Sequence, residues 1–79
     1  MRIYAIVENL IRENGAFGIS AYETFEGAWA AAKRIAEADC RDGIYRYVEN
    51  EEYRRFDIYR VSDGMLVYQF WINTLELKK

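Results

Sequence analysis

Apolar and polar positions alternate from the first residues of the chain. Ile3, Ala5 and Val7, and beyond Asn9 Ile11, fall on one side, with Arg2, Tyr4, Glu8 and Arg12 on the other and Ile6 as the exception. Period-two alternation predicts a half-buried strand, here over about residues 2–12, with Ile3, Ala5 and Val7 facing the core. Asn14-Gly15 then signals a hairpin, because both central residues of a type I′ turn need positive φ. A second strand is expected over about 16–23, with Phe17, Ile19 and Ala21 inward.

The period changes after Thr24. Phe25, Ala28, Trp29, Ala32, Ile35, Ala36 and Cys40 recur every three or four residues and form one apolar stripe of a helix. Thr24 is placed to accept from a free backbone N–H of the first turn, and Glu26 suits the positive end of the helix dipole. Gly43 fits a left-handed helix end. Lys33, Arg34 and Glu37 lie off the stripe. Three strands are predicted beyond it, Ile44–Glu49, Tyr53–Val61 and Met65–Ile72. Asp63-Gly64 reads as a second I′-type turn, and Asn50-Glu51 as a poorer one. The order ββαβββ predicts an α+β fold: one antiparallel sheet of about five strands with a single helix packed on one face.

One helix covers one face of such a sheet. The late strands carry large residues at both parities, Phe56 and Ile58 against Asp57 and Tyr59, and Leu66, Tyr68, Phe70 and Ile72 against Met65, Val67, Gln69 and Trp71. One set is therefore expected on the uncovered face, as a surface rich in aromatics and Arg for a partner or a second copy of the chain. A solvated Tyr–Arg face is the plain alternative.

Length and composition narrow the function. The 79 residues make one domain spanning 1–79, small enough to favour a binding surface over a deep reactive pocket. Net charge is −2, and 11 basic residues are set against 13 acidic ones, so there is no polyanion-binding excess. Tyr, Trp and Arg, the residue types enriched in interface hot spots, are well represented. The single Cys40 forbids an intrachain disulfide, and neither a signal-peptide pattern nor an apolar run of about 20 residues is present. A cytoplasmic protein with no membrane segment is expected.

Candidate chemistry is sparse. With no histidine in the chain, the commonest general base and neutral metal ligand is missing. Cys40 sits on the apolar stripe, and Glu49, Glu51 and Glu52 read as a solvated turn. No catalytic residue, metal site or cofactor is expected, and an enzyme is the least favoured class. The stretch from Ile44 to Arg60 interleaves Tyr45, Tyr47, Tyr53 and Tyr59 with Arg46, Arg54, Arg55 and Arg60, as single-strand binders do. The acidic residues of the same stretch offset those arginines. Direct nucleic-acid binding is thus secondary, with Arg46, Arg54 and Arg55 as its candidates.

The helix reads Ala32-Lys33-Arg34-Ile35-Ala36, then Cys40 and Gly43, and a strand begins. With Met1–Val7 and residues 24–48, this layout resembles a small type I anti-CRISPR family from phage and mobile elements. The resemblance implies an inhibitor that binds the Cas7 backbone of a guide-RNA surveillance complex in the host bacterial cytosol. It would occupy the path of target DNA and block hybridisation without chemistry. It nominates Lys33 and Arg34 as partner contacts, Tyr4 as the matching strand aromatic, and Asp39 at a polar position before the Cys, where an acidic residue departs from the family pattern. The last third, from Tyr53 on, is longer than the family layout. The alternatives are a small nucleic-acid-binding domain using an aromatic and Arg sheet face, and a self-associating structural domain, each consistent with a possible homodimer.

Overall fold

A computed structural model of the chain describes residues 1–10 and 15–76, with side chains for all of these except 10 and 15–19. The elements are β1 (Arg2–Leu10), β2 (Gly15–Tyr22), α1 (Phe25–Asp39), β3 (Tyr45–Asn50), β4 (Arg55–Arg60) and β5 (Leu66–Glu76). The five strands form one antiparallel sheet in the order β2-β1-β5-β4-β3. This is the expected α+β architecture. β5 lies at the centre, pairing with β1 from Arg2↔Glu76 to Leu10↔Tyr68 and with β4 on its other side. This central strand is paired along both edges, with Phe70 and Ile72 buried under the helix and Trp71 half-buried on the uncovered face. It also runs past Ile72 to Glu76, where Arg2 and Glu76 pair at 2.9 Å.

The helix crosses from one edge of the sheet to the other and touches all five strands. Thr24 caps it in extended backbone, its hydroxyl accepting from the Gly27 N–H at 3.0 Å. Ala28, Ala31, Ala32 and Ala36 are buried, so the helix backbone sits close to the sheet. Phe25, Trp29, Ile35 and Cys40 widen the contact on either side. Beneath lie Ile6, Phe56, Ile58, Phe70 and Ile72. Each fully buried side chain of this size stabilises the fold by about 1.5–3 kcal/mol.

Several expectations are corrected. On β1 the inward set is Tyr4, Ile6 and Glu8, with Ile6 at 0% exposure, and the set Ile3, Ala5 and Val7 faces away from the helix. Both faces of this strand bury apolar surface, so alternation alone does not tell them apart. On β2 the register slips by one residue between Ile6↔Ser20 and Val7↔Gly18. Ala21 is exposed opposite Ala5 and Tyr22 packs on the core instead. Phe17 and Ile19 lie among the residues whose side chains are not described, and Ile11, Arg12 and Asn14 outside the described residues.

The turns differ as well. Only Gly64 of the Asp63-Gly64 pair has positive φ (71°), so the turn is not type I′. Instead Gly64 N–H donates to the Arg60 carbonyl, and Asp63 accepts from the Arg60 guanidinium and the Met65 N–H. The helix ends at Asp39, with Cys40 as its cap, and Gly43 takes a left-handed φ of 81° three residues later. Between β3 and β4, Arg54 N–H donates to the Glu51 carbonyl at 3.1 Å and Arg54 itself adopts φ 52°. A left-handed Arg is uncommon, since its Cβ crowds the backbone there.

Candidate binding surfaces

The solvent side of α1 carries both residues of the Lys-Arg pair. Arg34 is exposed and belongs to no ion pair among the described residues. Lys33, one residue earlier, is turned toward β3, where its ammonium meets Glu49 at 3.1 Å. A partner carboxylate at Lys33 would compete with Glu49, whereas one at Arg34 would not. Tyr4 is half-buried on the helix side of the sheet, its ring edge-on to Phe25 at 6.2 Å. It supports α1 and presents little ring surface outward. Asp39 accepts from the Tyr68 hydroxyl at 2.5 Å, a bond that ties the helix end to β5. Asp39 thus lies near Lys33 and Arg34 in sequence but is engaged with the sheet.

The three other candidate arginines do not form one groove. Arg54 lies on the helix side, with its guanidinium 4.6 Å from the Phe25 ring centre. Arg46 and Arg55 lie on the outer face of the sheet. Arg46 covers Tyr59 at 4.7 Å, and Arg55 pairs with Asp57 at 2.7 Å while lying over Tyr53 at 5.4 Å.

That outer face is not simply solvated. Ile3, Ala5, Val7 and Trp71 form a half-buried apolar stripe over β1 and β5, the surface on which self-association would act. Beside it Asp57 is only 6% exposed, although no helix covers it. Its carboxylate accepts from Gln69 Nε2 at 3.0 Å and Arg55 Nη2 at 3.3 Å. The Arg55 Nε lies close to the same carboxylate, but its N–H is not aimed at it and makes no hydrogen bond. This network was not anticipated, because the neighbours that bury Asp57 come from β3 and β5 rather than from nearby sequence.

A second cluster lies under the C-terminal end of the helix. Glu8 is half-buried there, and burial first, then the charge of Asp39, pushes its carboxyl above the ordinary value. Burial and the bond to Asp39 likewise raise the Tyr68 phenol. Cys40 is raised mainly by burial, then by Asp39 and Asp42, which makes it a poor nucleophile. Because Glu8 binds its proton more tightly folded than unfolded, its contribution favours the fold at low pH and is lost as pH rises through the folded value. Glu8→Gln is therefore expected to raise the urea midpoint at pH 7 and to leave it unchanged below about pH 4. Equal shifts at both pH values would mean that packing, not charge, explains the effect.

A cleft of about 290 Å³ opens where the β3–β4 turn overhangs the start of the helix, lined by Phe25, Trp29, Glu51 and Arg54. Phe25 and Trp29 are near-parallel at 5.8 Å, and Trp29 packs on Phe56 at 4.4 Å. Among the described residues no three or more His, Cys, Asp or Glu are gathered as a metal site requires, and no helix is long and apolar enough to cross a membrane. No protein-family model, curated protein or solved structure matches the chain.

Proposed function

We propose that this chain is a binding protein without chemistry of its own, and that it acts by occupying a surface of a larger assembly. Following the resemblance at Ala32–Ala36, Cys40 and Gly43, that assembly is a type I guide-RNA surveillance complex of the bacterial cytosol, engaged at its Cas7 backbone so that target DNA is excluded. The observation that carries the reading is Arg34, a cation without an ion-pair partner on the solvent side of a helix anchored against all five strands. A rigid element presenting such a cation loses little entropy on docking. The chain's lack of histidine and its raised Cys40 thiol weigh against catalysis. Arg46 and Arg55 are engaged with Tyr59 and Asp57, which weighs against a nucleic-acid groove on the outer face.

Size-exclusion co-elution with guide-loaded complexes of several type I subtypes tests the proposal. The expected result is co-elution with one of them together with loss of target-DNA binding. Arg34→Glu should weaken that complex roughly tenfold or more, while changing folding stability by no more than about 0.5 kcal/mol. Lys33→Glu is a poorer probe, since it also sets like charges against Glu49. Elution apart from every complex would overturn the proposal, and full binding by the Arg34 variant would remove the assigned contact.

A further inference from the structure

We propose that the free edge of β3 takes up an extended peptide segment of a partner protein as an added strand, the segment carrying an acidic residue with an apolar residue two positions to either side. This goes beyond the occlusion reading and does not rest on it. β2 and β3 are the edges of the sheet. The β2 edge is broken by the register slip between Ile6↔Ser20 and Val7↔Gly18, and such a bulge blunts an edge against new partners. β3 instead pairs with β4 in unbroken register from Tyr45↔Arg60 to Asn50↔Arg55, and it contains no Pro, Gly or Lys. Its backbone is thus laid out regularly for a further strand.

Which backbone groups face outward follows from one bond. Val61 N–H donates to the Ile44 carbonyl at 2.9 Å, so Ile44 and every second residue after it, Arg46, Val48 and Asn50, turn their peptide groups toward β4. Tyr45, Tyr47 and Glu49 turn theirs to the open side, beyond which no strand lies among the described residues. These are the donors and acceptors that strand addition uses. Side chains set the sequence that fits. On the uncovered face the edge presents Ile44, Arg46 and Val48 in a column, with Ile44 at 53% and Val48 at 41% exposure. An added strand sets its own residues beside these on the same face, apolar against Ile44 and Val48 and a carboxylate against Arg46. The Arg46 guanidinium lies over the Tyr59 ring at 4.7 Å, which leaves the N–H groups along its rim without an acceptor among the described residues. The other charge of the edge, Glu49, is already met by Lys33 at 3.1 Å. A second copy of the chain does not supply the carboxylate. Two β3 edges joined antiparallel set uncovered-face residues against uncovered-face residues, and Ile44, Arg46, Val48 and Asn50 include no acid. The occupant is therefore a different chain, and its apolar–x–acidic–x–apolar pattern reads the same in either strand direction.

The experiment is titration of the isotope-labelled chain with the capped peptide Ser-Val-Thr-Glu-Thr-Val-Ser, followed by the backbone amide resonances. Saturable shifts that are largest at Tyr45, Tyr47 and Glu49 are expected, with Ser20 and Tyr22 on the β2 edge unmoved. Replacing the peptide's Glu by Lys should weaken binding at least about tenfold, and Arg46→Glu should reverse that preference. Glu49→Pro removes an amide that faces the open side and none that bonds β4, so it should keep the fold by circular dichroism and weaken binding. Two N-methylated peptides, blocked at alternate residues, test the backbone. An added strand turns only every second amide to its neighbour, so one form should lose binding and the other keep it. Absence of saturable shifts on β3, equal binding of the Glu and Lys peptides, or full binding by both N-methylated forms would each overturn the proposal. Shifts of the same amides on raising the chain's own concentration, with no peptide present, would assign the edge to a second copy and overturn it as well.

Discussion

Phe56→Ala is expected to destabilise the domain by about 3–5 kcal/mol. Phe56 is 1% exposed at the middle of the helix-facing side, paired across the sheet with Phe70 and packed under Trp29 at 4.4 Å. Truncation removes a ring that touches the helix, β3 through Tyr47, and β5 at once. The wall above it is built from Ala28, Ala31, Ala32 and Ala36, whose short side chains have nothing to extend into the space. The cavity therefore remains, and the cost sits in the upper part of the range. A domain of 79 residues has about 4–12 kcal/mol of total stability at the usual 0.05–0.15 kcal/mol per residue, so one such loss consumes a large share. Urea titration followed by circular dichroism measures it. A loss under about 1 kcal/mol would mean that the helix can settle onto the sheet, and that the close Ala contact is not at its limit. Phe56→Leu, which refills most of the volume, should recover the larger part of the loss.

How much of this was legible in the chain depends on whether the signal was local. The helix was, because its cap, its stripe and its acidic first turn lie within one window, and Thr24, Ala28 and Ala36 do what their spacing predicts. The strand count was legible too, as were the large residues at both parities of the late strands, but not that β5 is the central strand. The inward face of β1 was not. Tyr4 and Glu8 count as polar, yet they flank Ile6 on the buried side, while Ile3, Ala5 and Val7 line a face that carries its own apolar stripe. The slip on β2 adds a residue to one strand and breaks any parity carried across it. The left-handed backbone of Arg54 was not legible, because the usual mark of such a turn residue is Gly or Asn. The pairing of Tyr68 with Asp39, 29 residues away, and of Gln69 with Asp57 are products of topology. So the candidate residues were nameable from sequence, but which of them are already engaged was not: Lys33 by Glu49, Asp39 by Tyr68, Arg55 by Asp57.

The second large effect is expected at Asp57. Asp57→Leu should cost about 2–3 kcal/mol, whereas Arg55→Met combined with Asp57→Leu should restore the stability to within about 1 kcal/mol of the parent or exceed it. The carboxylate is 6% exposed and accepts from both Arg55 and Gln69. Removing it alone leaves a cation and an amide facing an apolar side chain. Those groups then lose their partner while remaining largely shielded from water. The Arg55 side chain keeps 31% of its exposure, so part of its charge is still solvated and the cost stays below that of a fully enclosed ion. Its Nε makes no hydrogen bond even now, which marks the pair as imperfect and explains why losing both charges together is cheap. A double-mutant cycle in urea gives the coupling. If the double variant is as unstable as Asp57→Leu alone, the hydrogen bond to Gln69, rather than the ion pair, holds the network. The same double variant should also self-associate on light scattering at concentrations where the parent does not. With Arg55 and Asp57 gone, the stripe of Ile3, Val7 and Trp71 would extend across positions 55 and 57 toward Val48 on the outer strand, with Gln69 left as a polar neighbour. A charged pair in the middle of an uncovered sheet face is a common means of keeping such a face from pairing with itself. Solubility would then fall at a site where stability is kept, a result that neither a merely structural ion pair nor an inert surface charge would produce.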